Sequence, residues 1–102
     1  EQKNICLTSW RIKVMDGNSA IFLEGKRKDR KDQLWHSNAV TERIASNQVR
    51  TSSGSVYLLQ GRIDVASMRK EGSPYQFIKR FRFGFSTNWK KYVEEFLEER
   101  RR

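Results

Sequence analysis

The chain has 102 residues, 36% hydrophobic and 12% aromatic, and its 21 Lys and Arg against 12 Asp and Glu leave a net charge of +9. That length fits one domain whose single core supplies nearly all the stability, and six Phe, three Trp and three Tyr argue against disorder. No apolar run approaches the roughly 20 residues of a membrane-spanning helix, and the single Cys6 excludes an internal disulfide and suits a reducing compartment.

Trp10, Ile12 and Val14 alternate with Arg11 and Lys13, the period of a half-buried strand. Asp16-Gly17-Asn18 supplies turn chemistry, and Ala20 to Gly25 reads as the second strand of a hairpin. Lys26 to Asp32 reads as a charged loop. Leu34-Trp35-His36 resumes apolar character. From Ser37 to Ile44 the spacing of Val40 and Ile44 suits helix or strand, and a strand with an irregular start is favoured.

Val49 to Thr51 leads into the turn Ser52-Ser53-Gly54-Ser55, and Val56 to Gly61 returns as a strand. Asp64 can cap a short helix near 65–71, Gly72 can end it, and Ser73-Pro74 starts a new element. Tyr75, Phe77, Lys79, Phe81, Phe83 and Phe85 occupy odd positions, and Gln76, Ile78, Arg80 and Arg82 even ones. This predicts a strand with a buried aromatic face and a mostly cationic outer face, ended by Gly84. Ser86, Thr87 or Asn88 can cap a last helix, where Trp89, Val93, Phe96 and Leu97 form an apolar stripe.

The expected architecture is α+β. A mostly antiparallel, strongly twisted or partly closed sheet of about five to six strands packs against a C-terminal helix. The chain is expected to be one domain of a longer protein, with 98–102 a basic tail or the start of a linker.

Enzyme chemistry finds little footing. His36 is the only histidine, so no Ser-His-Asp arrangement can be assembled from independent motifs, and beside Trp35 it reads as structural or surface. One Cys and one His cannot build a tetrahedral metal site. The glycines are dispersed and form no phosphate-cradling loop. The expectation is a non-enzyme with no catalytic residue, no cofactor and no metal.

The charge is uneven: 26–32 carry +3 and 62–88 carry +4. Lys26, Arg27, Lys28, Arg30, Lys31, Arg69, Lys70, Lys79, Arg80 and Arg82 are therefore the candidate basic interaction surface, suited to phosphates or to an acidic protein. For the loop alone, Asp29 and Asp32 dilute the charge and favour an ordinary solvated loop. The predicted alternation puts the rings of Phe81 and Phe83 opposite Arg80 and Arg82, which makes them core rather than a base-stacking platform. Trp10, Trp35 and Trp89 likewise read as core. An exposed sheet edge could accept a partner strand or a second copy of the chain.

Trp10-Arg11-Ile12, Leu23-Glu24-Gly25-Lys26, Trp35-His36-Ser37-Asn38, Arg43-Ile44, Val49-Arg50-Thr51, Ser53 to Leu59, Gly61, and Phe83-Gly84-Phe85 with Trp89 occur in one order. Together they resemble the SANTA (SANT-associated) domain in the form carried by the Mis-eighteen-binding (kinetochore null protein two) family, over about 5–97. Trp10, Gly25, Trp35, Ser37, Gly54, Tyr57, Gly61, Phe81, Gly84, Phe85 and Trp89 are the matching structural positions. One departure is Ser86, where that family usually has Pro.

The resemblance implies a nuclear, centromeric protein of the Mis-eighteen complex, which licenses deposition of the histone variant CENP-A. It implies a protein-interaction module with no catalytic residue to carry over. The implied partners are CENP-C, and Mis-eighteen alpha and beta through the full-length protein. Direct contact with a CENP-A nucleosome or DNA through the basic surface is the alternative.

Overall fold

The computed structural model describes residues 4–102. Five strands close into a small barrel in the order β1-β2-β3-β4-β5. They are β1 (Asn4–Val14), β2 (Ile21–Arg27), β3 (Gln33–Ala45), β4 (Gln48–Thr51) and β5 (Val56–Gln60). Sequential neighbours pair antiparallel, and β1 returns alongside β5 in parallel to close the wall. Three helices follow: α1 (Val65–Lys70), α2 (Tyr75–Lys79) and α3 (Trp89–Arg101). The α+β class, five strands, the short helix near 65–71 and the C-terminal helix agree with the expectation.

Closure depends on two long strands that bend. The first part of β1, Asn4 to Thr8, pairs with β5. Its later part, Arg11 to Val14, pairs with β2 only, across a register shift after Thr8. Ser9 sits at that bend in the left-handed region, with φ 50°, a bulge that re-aims the strand. β3 pairs with β2 up to Ala39 and with β4 from Val40 onward. Residues 37–45 are therefore strand, as favoured from sequence. Closure shortens the free sheet edge: residues 11–14 of β1 and 33–39 of β3 pair with β2 alone.

Gly25 fits where the wall is tightest. A Cβ there would lie 2.9 Å from the Thr8 carbonyl oxygen and 3.1 Å from the Trp10 Cα. β2 also runs two residues further than expected, so Lys26 and Arg27 are strand residues and the turn proper is 28–32.

The main difference concerns 75–85. Pro74 leads into helix α2, and a turn from Arg80 to Gly84 follows. Phe77, Phe81 and Phe85 are buried but Phe83 is not. Those three positions are four apart, so one helical face followed by a turn buries them as readily as a strand does. The missed element replaces the predicted sixth strand.

The core runs from the barrel interior (Leu7, Trp10, Ile21, Leu23, Val49, Leu59) into a layer of rings under the helices. Phe96 stacks on Phe77 at 4.0 Å, Phe77 meets Phe81 at 5.0 Å, and Phe81 meets Phe85 edge-on at 5.1 Å. Phe85 reaches Trp89 at 5.7 Å and Trp10 at 6.1 Å, which ties α2 and α3 to the barrel wall. Trp89, Val93, Phe96 and Leu97 form the buried stripe of α3 as expected. Residues 98–101 continue that helix, and Arg100 and Arg101 hydrogen-bond to Asn18.

Candidate protein-interaction surface

The turn after α2 is fixed at three points. The Gly84 N–H donates to the Phe81 carbonyl at 3.0 Å, and the Phe85 N–H donates to the Ser46 carbonyl at 2.7 Å. Arg43 Nε donates to the Phe85 carbonyl at 2.7 Å. Gly84 has φ +98°, a conformation side chains disfavour, and a Cβ would overlap the Ser46 carbonyl. Phe85 thereby turns into the core, and Phe83 turns outward at 81% exposure, the most exposed large hydrophobic residue described.

Arg62 and Arg82 share a groove with that ring. Arg82 follows the turn outward and donates to the Tyr75 hydroxyl at 2.6 Å. Arg69, in the last turn of α1, lies over the Tyr75 ring at 5.6 Å from its centroid. Beside Phe83, a groove of about 190 Å³ is lined by Trp10, Asn47, Leu59, Arg62 and Arg82. Its back wall is held by a hydrogen bond from Trp10 Nε1–H to the Gly61 carbonyl at 3.0 Å.

The sequence-predicted cations do not form one patch. Arg69, Lys70, Lys79, Arg80 and Arg82 lie on α1, α2 and the following turn, all exposed. Arg80 is engaged: it donates to Glu95 at 2.7 Å and lies over Tyr92. That hydrogen bond holds the Glu95 carboxyl below the usual carboxylate range. Lys26, Lys28, Arg30 and Lys31 are exposed at the β2–β3 connection.

Arg27 departs from its expected role. It is only 5% exposed, pairs with Asp29 through two hydrogen bonds of 2.8 and 3.0 Å, and lies over the Trp35 ring at 4.5 Å. The hydrogen bond from Arg27 lowers the Asp29 pKa. Arg27 is thus a plug at the barrel wall, and it leaves the candidate surface. Beside it, Trp35 Nε1–H donates to the Tyr57 hydroxyl at 2.9 Å, and burial raises the Tyr57 pKa.

His36 is placed on the outer wall, where its Nε2–H donates to Glu24 Oε2 at 2.5 Å. Arg11 approaches the other Glu24 oxygen at 2.6 Å and Asp64 at 3.6 Å. Burial pushes the Glu24 pKa up, but the hydrogen bond and charge of Arg11, with His36 and Lys13, outweigh it and hold the carboxyl below its ordinary range. Asp64 in turn accepts from the Ser67 N–H at 3.1 Å and caps α1, as its sequence position predicted. Among the described residues, no three His, Cys, Asp or Glu side chains converge as a metal site would require.

The matching motif positions act as joints between elements. Ser37 Oγ accepts from the Leu23 N–H at 2.9 Å, joining β3 to β2. Gly54 makes the β4–β5 turn with φ +87° and donates to the Thr51 carbonyl. Phe83 is the position that sequence reasoning missed. Its place in an alternating aromatic run hid it, and the only sequence signal for an outward turn was the Gly84 beside it.

A family model described as SANTA (SANT Associated) matches residues 5–92. No solved structure matches the chain. The chain belongs to the SANTA (SANT Associated) family, a membership that suggests a nuclear, chromatin-associated interaction module.

Proposed function

We propose that this domain is a non-catalytic protein-interaction module of a centromeric Mis-eighteen-complex subunit, helping to recruit or license deposition of the histone variant CENP-A. The observation that carries an interaction role is Phe83: a fully built turn, anchored to the barrel, holds a large ring in solvent at 81% exposure. An exposed ring gains nothing for folding, and aromatic and Arg side chains together are the composition of binding hot spots. The centromeric assignment rests on the ordered motif resemblance, with CENP-C and the Mis-eighteen subunits as the partners it implies.

The test is replacement of the full-length protein in cells by a form lacking 5–92. The expected outcome is normal protein abundance with loss of centromere recruitment or of newly loaded CENP-A. Unchanged recruitment and loading would reject the reading.

A second reading, contact with DNA or a nucleosome, is favoured by the exposed Lys26, Lys28, Arg30 and Lys31 on one connection. Its test is binding to a short labelled duplex across a salt series. Affinity that persists near physiological salt supports it, and affinity that disappears there rejects it.

A further inference from the structure

The Phe83 edge has a shape and a charge that narrow its partner. The groove beside the ring is floored by the nearly fully buried Trp10 and Leu59, has Phe83 itself as its exposed apolar wall, and has cationic rims from Arg62 and Arg82. At about 190 Å³ it has room for one branched or aromatic side chain. Nearby carboxylates are already engaged: Asp64 faces Arg11 at 3.6 Å and caps α1, and Glu71 faces Lys13 at 3.3 Å. Arg62 and Arg82 therefore give the groove a net positive rim, and Arg69 adds a further cation at Tyr75, the residue to which Arg82 donates.

We propose that the Phe83 edge is a docking site for a short acidic peptide segment of a partner protein, one of whose apolar side chains enters the Trp10–Leu59 groove while its carboxylates face Arg62 and Arg82. This deepens the interaction-module reading and rests on it. The turn is anchored before any partner arrives, so little ordering cost falls on the domain. Arg62 and Arg82 can each hold a carboxylate bidentately. Strand addition is the less suited mode here, because the Phe83 turn is not a strand and presents no ladder edge. Nucleic acid is the less suited partner: Arg62 and Arg82 would hold phosphate as well as carboxylate, but a single ring offers no stacking ladder and a phosphate backbone has no apolar side chain to fill the groove.

The test uses nuclear magnetic resonance on the isotope-labelled chain. The probe is a synthetic ten-residue peptide with one Leu and one Phe among Asp and Glu. Two control peptides replace either the Leu and Phe by Ser or every acidic residue by Lys, and a 16-base-pair DNA duplex is the third comparison. The expected result is saturable binding of the probe, with a Kd on the order of 10–100 μM, and shifts confined to amides of 46–47, 61–62 and 82–84. Phe83→Ala, and separately the double change Arg62→Glu with Arg82→Glu, should each weaken it about tenfold or more while the spectrum stays dispersed.

Equal binding of the Ser control, unchanged affinity in Phe83→Ala, or tighter binding of the duplex at the same amides would overturn the proposal. Failure here beside loss of CENP-A loading on deletion of 5–92 would reject the site alone. Loading that survives the deletion would reject the wider reading, whatever the peptide does.

Discussion

Gly84 lies directly against the Ser46 carbonyl, and the next residue, Phe85, donates its N–H to the same oxygen at 2.7 Å. One backbone oxygen on the β3–β4 turn therefore fixes the boundary between the buried and exposed rings. Gly84→Ala places a methyl group into that oxygen and forces a side chain to φ +98°. Both effects act on the folded state, so the expected cost is about 2–4 kcal/mol. Thermal unfolding should show a midpoint lower by roughly 10 °C or more for a domain of this size. A midpoint within a degree or two would mean the turn can relocate.

Phe83→Ser should behave in the opposite way. The ring is 81% exposed and contributes little burial, so stability should change by less than about 0.5 kcal/mol. Phe85→Ser, two residues away, removes a fully buried ring packed on Trp10, Phe81 and Trp89 and should cost about 3–5 kcal/mol. Denaturant midpoints of the pair measure the contrast. Equal losses would show that Phe83 packs in solution.

Much of the fold is legible because local chemistry and tertiary packing agree. The alternation of Trp10, Ile12 and Val14 is strand-like, and as strand it buries Trp10 and Ile12 fully and Val14 in part. The stripe Trp89, Val93, Phe96 and Leu97 is helical and is buried as helix. Asp64 stands before a helix and caps it. The failure over 75–85 arises because Tyr75, Lys79 and Phe83 complete an odd-numbered alternation while contributing nothing to the core. The buried set, Phe77, Ile78 and Phe81, follows a helical face. Barrel closure is illegible for another reason: the parallel pairing of β1 with β5 needs the bend at Ser9, and no Gly or Pro marks it. Arg27 misleads because charge runs read as loops, yet this one pairs with Asp29 and covers Trp35.

Glu24 links stability to pH. Its folded-state pKa lies below the ordinary 4.5, so its contribution is fully present above about pH 4.5 and is lost as pH falls through the folded value. Glu24→Gln leaves Arg11 with half of its partners and should cost about 1–3 kcal/mol at pH 7. The stability difference between the two proteins should then shrink as pH drops below 4.5. Urea unfolding at a series of pH values between 7 and 3 reads this directly. A difference independent of pH would assign the loss to packing alone.

Tyr57 makes a prediction at the other end of the scale. Burial raises its pKa, and the hydroxyl accepts from Trp35 Nε1–H. Absorbance at the phenolate band should show an ionisation step above the ordinary tyrosine range. The raised value means that its contribution is present below the unfolded pKa and is lost as pH rises through the folded one. Tyr57→Phe should remove the late step and cost about 0.5–1.5 kcal/mol, since the Trp35 donor loses its acceptor. A late step that survives in Tyr57→Phe would locate the perturbed hydroxyl elsewhere.

The five cations of the β2–β3 region separate into two kinds, and charge reversal distinguishes them. Lys26, Lys28, Arg30 and Lys31 are exposed, so changing all four to Glu should leave the fold intact. If this connection contacts DNA, that variant should lose most affinity, and the log–log salt slope should become shallower by about 0.9 for each phosphate contact removed. Arg27→Glu should do something else: it sets a buried negative charge beside Asp29 and removes the nearer of the two cations over Trp35. The expected loss is about 3 kcal/mol or more of stability, visible as a lower unfolding midpoint before any binding is measured. A stable Arg27→Glu with weakened DNA binding would return Arg27 to the surface from which its burial removes it.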